Sequence, residues 1–228
     1  MTQSARDLEN TFAHAWTLLV RNPVIIVPGI VLAAVGAGLE YALRAWISDD
    51  LTYAIVLIVL AFALGLVQMA YVTGMAGAAW RDERARLHDG LIAFEHRGAA
   101  VGGAWLLLVV IGFCAAVLAG ATFGVTLIAF AVFFIYTMAA VVIGDRRPVK
   151  AITESAGLAL RNVMPTIGVV GLIVVIAAAG GWLGALAGRF SDPAGWLVSG
   201  VLQQVIVAYA TLVVAGEYLK LTTPPMSS

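Results

Sequence analysis

The sequence predicts an all-α fold, a polytopic membrane bundle of six transmembrane helices, and three observations carry that prediction. Apolar residues make up 62% of the 228-residue chain and charged residues only 11%, with a mean hydropathy of +0.99. Soluble domains hold about 45–50% apolar and about 25% charged residues, and a chain of this length cannot hide such an excess from water. Stretches free of Asp, Glu, Lys and Arg run over 22–39, 51–80, 98–144, 162–188 and 193–216. About 20 apolar residues suffice to cross a hydrocarbon core roughly 30 Å thick. The remaining charges fall between these stretches, and thirteen basic residues balance thirteen acidic ones. A soluble enzyme, a disordered chain and a nucleic-acid-binding module are thereby excluded. The expected partner is the lipid bilayer.

Each element then follows in order. At the N-terminus Leu8, Phe12, Ala15, Trp16 and Leu19 recur at helical spacing opposite Asp7, Asn10, His14, Thr17 and Arg21. That pattern reads as a helix lying at the headgroup level, and Ser4 with Asp7 suits a capping box at its start. Asn22-Pro23 then opens the first span, 23–43, with an N-cap residue before a first-turn proline, and Pro28 lies one turn further in. Asp49 and Asp50 stand in the capping role before the second span, 51–75. Trp80, Leu87, Leu91 and Phe94 oppose Arg81, Arg84 and His88, a second surface helix ahead of the third span. The 47-residue stretch 98–144 is too long for one crossing and divides at Gly120–Gly124 into spans 99–119 and 124–144. Val149, Ile152, Ala156 and Leu160 oppose Arg147, Lys150, Glu154 and Arg161 in a third surface helix. Spans 163–187 and 194–216 complete the count, the last opened by Asp192-Pro193, and 218–228 reads as a short tail.

The chain therefore reads as one domain built from three units, 5–79, 80–144 and 146–217, each a surface helix followed by a hairpin of spans. Arg21-Asn22 and Arg161-Asn162 mark the same point in the first and third units, where the middle one has Arg97-Gly98. Eleven Lys and Arg residues fall on the side that holds both termini and two, Arg44 and Arg189, on the other. Such a bias places the basic side and both termini in the cytoplasm. An Arg-rich composition with two lysines suits a bacterial chain, and so the bacterial inner membrane.

Candidate sites are few. Cys114 stands alone in an apolar run, no motif assembles a nucleophile, a phosphate loop or a zinc pair, and no cofactor is expected. His88 and His96 are two helical turns apart, too far for one ion. Glu40 and Glu217 fall at span ends, where their charge would reach water. The polar residues at mid-span include Gln68, Gln203 and Gln204, a possible intramembrane cluster that either bonds helices together or lines a substrate cavity. Arg81, Arg84 and Arg86, with Arg146, Arg147 and Lys150, are candidate contacts for anionic lipid headgroups. Gly180, Gly184 and Gly188 recur at four-residue steps, which lets helix backbones approach closely, within the bundle or across a homo-oligomer.

The segment Gly144 to Asn162, with its Ala…Ser…Leu…Asn pattern, resembles the stretch before the fifth span in a group of six-span bacterial membrane proteins. That group includes the membrane domain fused to some glycerophosphoryl diester phosphodiesterases. Trp16-x-x-x-x-Arg21-Asn22-Pro23 is similar to the entry of their first span. In those fusions catalysis resides in a separate soluble barrel, so the resemblance implies a membrane module and carries over no catalytic residue. The expected function is a non-catalytic scaffold or accessory protein, alone or with a membrane partner protein. The alternative is a transporter or lipid-handling protein with a polar site between the repeats.

Overall fold

The computed structural model describes residues 3–122, 124–188 and 192–223, the side chains of 3–7, 187–188 and 192–197 excepted. Among the described residues the chain is helical, without strands, and six helices are long and apolar enough to cross a membrane. The protein is an all-α polytopic bundle. Helix α1 (Gln3–Arg21) leads through a 3-10 turn (Pro23–Ile26) into α2 (Val27–Trp46), followed by α3 (Asp50–Asp82) and α4 (Leu87–Ala119). Then come α5 (Val125–Phe134), α6 (Thr137–Val142), α7 (Pro148–Arg161), α8 (Val163–Gly188) and α9 (Asp192–Thr222). The chain crosses to and fro, so the Arg-bearing connections gather at one end, called here the basic end.

The core sits toward that end. Ala15, Leu18 and Leu19 of α1 pack with Met75, Ala76 and Ala79 of α3 and Leu212, Val213 and Ala215 of α9. A second cluster joins Val101 and Ala104 of α4, Tyr136, Ala139 and Ala140 around α6, Ala151 of α7 and Tyr218 of α9. Toward the other end large apolar side chains such as Trp46, Leu51, Phe113, Val117 and Trp182 are exposed, as lipid requires. Helix α1 is thus docked on the bundle through its apolar face.

Several elements match their sequence signals. Asp49 caps α3, its carboxylate accepting from the Thr52 N–H at 2.7 Å. The long apolar stretch divides where expected: α4 ends at Ala119, and Gly124 takes φ +81°, a left-handed turn that glycine adopts freely. Thr126 Oγ donates to the Ala115 carbonyl at 2.8 Å across this turn. Helix α9 begins at Asp192, where the sequence places a start, while the side chains of the Ser4–Asp7 capping box, of Asp192 and around Gly188 lie outside the described residues.

Five features differ from the sequence reading. The middle unit has no separate surface helix: α3 runs on through Trp80 to Asp82, and α4 is continuous from Leu87 through the span. Gly98 stands where the other units have asparagine, and no bend forms there. The fourth span is broken, α5 stopping at Phe134 and α6 starting at Thr137. Asn22 caps no helix. Its side-chain amide donates to the carbonyls of Leu18 (3.0 Å) and Glu83 (3.2 Å), and its oxygen accepts from the Ala85 N–H (2.9 Å). The residues of the supposed tail continue α9 as far as Thr222. Glu217, expected to reach water, is 1% exposed because α1 lies along the last turns of α9.

The recurring Arg-Asn pair has a shared geometry. Asn22 (φ −126°, ψ 62°) and Asn162 (φ −130°, ψ 50°) each break the chain between surface helix and span. Each also donates its side-chain amide to the carbonyl four residues back, Leu18 and Leu158 respectively, at 3.0 Å.

Candidate functional site

At mid-span, Gln68 Nε2 of α3 donates to Gln204 Oε1 of α9 at 2.7 Å. Gly29 of α2 makes room for them: a methyl group there would overlap the Gln204 amide and meet Gln68 Nε2 at 3.2 Å. Three spans thus converge on one amide pair, and glycine at 29 is what admits it. Gln203 is exposed on the outer face of α9 and takes no part. The adjacent glutamines diverge by about 100° on a helix, so only one can face inward.

The break in the fourth span is held by a side chain from another element. Ser155, buried on α7, accepts from the Tyr136 N–H at 3.1 Å and donates to the Phe133 carbonyl at 2.8 Å. A broken helix in hydrocarbon strands backbone groups at several kcal/mol each, and Ser155 satisfies one donor and one acceptor. Tyr136 is fully buried, and its hydroxyl lies 3.2 Å from Thr166 Oγ, which donates to the Asn162 carbonyl at 2.8 Å. The break, α7 and the start of α8 therefore share one polar chain. Sequence reasoning missed Ser155 and Tyr136. The available signal was Ala151, Ser155 and Ala159, small residues at four-residue steps on one face of α7.

Beside this chain Glu154 accepts from Arg146 Nε at 2.6 Å and from the Tyr218 hydroxyl at 2.9 Å. The hydrogen bond and charge of Glu154 raise the Arg146 pKa further, so that guanidinium is a fixed cation already spent within the protein. Glu217 has Lys220 Nζ at 3.5 Å. Arg97 pairs with Asp145, and Arg21 with Glu83 at 3.4 Å. Arg81, Arg84, Arg86, Arg147 and Lys150 are exposed and make no ion pair among the described residues. Arg81 also lines a 350 Å³ pocket between α3, α4 and α6 together with Asp82, Asp89, His96 and Arg97, a lining of mixed charge.

A further hollow is largely apolar. A groove of 660 Å³ runs between α4, α5 and α8, walled by Trp105, Gly112, Phe130, Phe134, Ile135 and Val170 among others. That volume is in the range of pockets that hold drug-sized molecules. Gly180 and Gly184 of α8 face α9 instead: added methyls would meet Ile206 and Ser199, the latter at 2.7 Å from its hydroxyl. The two described glycines of this series thus serve packing inside the bundle. No group of three or more His, Cys, Asp or Glu residues able to hold a metal occurs among the described residues.

Fold and site together define a six-span membrane bundle with a Gln68–Gln204 bond at mid-span, a polar chain around the broken fourth span, and a largely apolar groove between α4, α5 and α8. Residues 89–222, more than half of the chain, match the family described as Domain of unknown function (DUF7847), and the chain belongs to that family. No curated protein and no solved structure matches the chain.

Proposed function

We propose that this chain is a non-catalytic accessory protein of the bacterial cytoplasmic membrane, both termini inside, whose working contact is with lipid. The observation that supports this most is the groove between α4, α5 and α8, lined almost wholly by apolar side chains. The rival reading, a transporter with a polar site around Gln68, Gln203 and Gln204, has less support: Gln68 Nε2 is bonded to Gln204 Oε1, and Gln203 is exposed. The three-unit repeat, with its two asparagine joints, is the scaffold that shapes the groove. The similarity of 144–162 to the membrane domain of the phosphodiesterase fusions points the same way, toward a module that meets lipid and leaves chemistry to other domains.

Photo-crosslinking tests this. The full chain in nanodiscs that contain phosphatidylcholine with a diazirine-bearing tail should give adducts enriched at Gly112, Phe130 and Val174 over Leu51 and Ile58, which are exposed on α3. Ala116→Phe, which fills the groove, should remove the enrichment. Adducts spread evenly over all exposed apolar positions would overturn the proposal.

A further inference from the structure

Building on the lipid-binding reading, we infer that the groove selects an anionic phospholipid, its tail between α4, α5 and α8 and its phosphate against Lys150 and Arg161 of α7. The reasoning starts from what the groove alone cannot do. A tail that leaves the bilayer for an apolar groove exchanges one hydrocarbon surrounding for another, so no hydrophobic gain distinguishes one lipid from another. Selection must come from the polar end of the molecule.

Helix α7 lies across that end. At its start Pro148 meets Gly103, two residues before Trp105 in the groove wall. At its middle Ser155 bonds Phe133 and Tyr136, which flank the wall residues Phe134 and Ile135. At its end Asn162 hands the chain to α8, whose Val170 also lines the groove.

Around its axis α7 shows three faces. Ala151, Ser155 and Ala159 are buried against the bundle, while Val149 and Leu160 are exposed at 66% and 63%, as on a helix that meets lipid tails. The third face carries Lys150 and Arg161, eleven residues and about three turns apart on one side of the helix, and with Glu154 between them it lines a shallow 300 Å³ hollow. Neither cation has an acidic partner among the described residues, since the carboxylate between them, Glu154, is held by Arg146 and Tyr218. Arg21, Arg44 and Arg97 do have carboxylate partners. The pocket with Arg81 is nearly neutral, because Asp82 and Asp89 share its lining. Unpaired positive charge therefore lies on α7, the helix whose buried face meets the residues that flank the groove wall.

The experiment competes diazirine-tailed phosphatidylglycerol against the matching phosphatidylcholine at equal mole fraction in nanodiscs that hold the full chain. Groove adducts should favour phosphatidylglycerol by about fivefold or more, the order expected from each Lys or Arg near a lipid phosphate. Lys150→Gln with Arg161→Gln should bring the preference close to one and leave the total groove adduct unchanged. Arg84→Gln with Arg86→Gln should leave the preference intact. Equal adducts from both lipids, or equal loss in the two double variants, would overturn the assignment of the headgroup while the lipid-binding reading stands. Absence of groove enrichment with either lipid would remove the reading beneath it.

Discussion

At the scale of single residues, the clearest dependence is that of the Gln68–Gln204 pair on its surroundings. The Gln68 Nε2 donor and the Gln204 Oε1 acceptor satisfy each other, so removing one strands its partner in an apolar setting. We expect Gln204→Leu to destabilise the bundle by about 1–2 kcal/mol and Gln68→Leu with Gln204→Leu together to cost less than the sum of the two single changes. Unfolding of the four proteins in mixed micelles reads this, and strict additivity would refute the coupling. Gln68 and Gln204 stand out in the sequence as polar residues in apolar runs, but their pairing does not, because it spans 136 positions. Gly29 was illegible for a similar reason: its role belongs to side chains on two other helices. Asp49 is a simpler case. Its hydrogen bonds from Thr52 lower its pKa below the usual carboxylate value of 3.8. Its support of the α3 start is thus complete above that ordinary value and is lost as pH falls through the lowered one. A carboxyl titration followed at Asp49 and at the Thr52 amide should find its midpoint below 3.8; a midpoint at or above it contradicts the cap.

At the scale of elements, the broken fourth span and α7 form one unit. Ser155→Ala should cost about 1–3 kcal/mol, since it strands a buried backbone donor and acceptor, and should speed hydrogen exchange at the Tyr136 amide. Thr153→Ala, on the exposed face of the same helix, serves as the control and should do neither. Nothing in Phe133-Phe134-Ile135-Tyr136-Thr137 announces a break, because no glycine or proline lies there. The stop is imposed from outside by a serine twenty residues on, so local propensity could not reveal it. The turn at Gly120–Gly124 was legible because its cause is local. The same contrast explains the middle unit. An amphipathic pattern over 80–94 is real, but without an asparagine at the joint the helix runs straight into the membrane.

At the scale of the whole molecule, composition and the spacing of charges were enough for the class, since hydrocarbon length admits few alternatives. The sidedness inferred from eleven basic residues against two is open to a direct check. In a Cys114→Ser background, cysteines placed at 49 and 191 should react with an impermeant reagent added to intact cells, and those at 86 and 146 only after lysis; the reverse pattern would invert the topology. The placement of polar contacts carries a mechanical consequence. Bonds that join one unit to another cluster at the basic end: Asn22 to the 83–85 loop, Ser155 to the fourth span, the Trp80 indole to the Leu212 carbonyl. At the opposite end the described polar bonds stay inside a single hairpin, Arg44 to Tyr53 and Thr126 to Ala115. The spans therefore behave as tines clamped at the root. Thinning or crowding of the leaflet that surrounds their free tips should widen or narrow the gap between α5 and α8, whereas the same change at the root meets a locked joint.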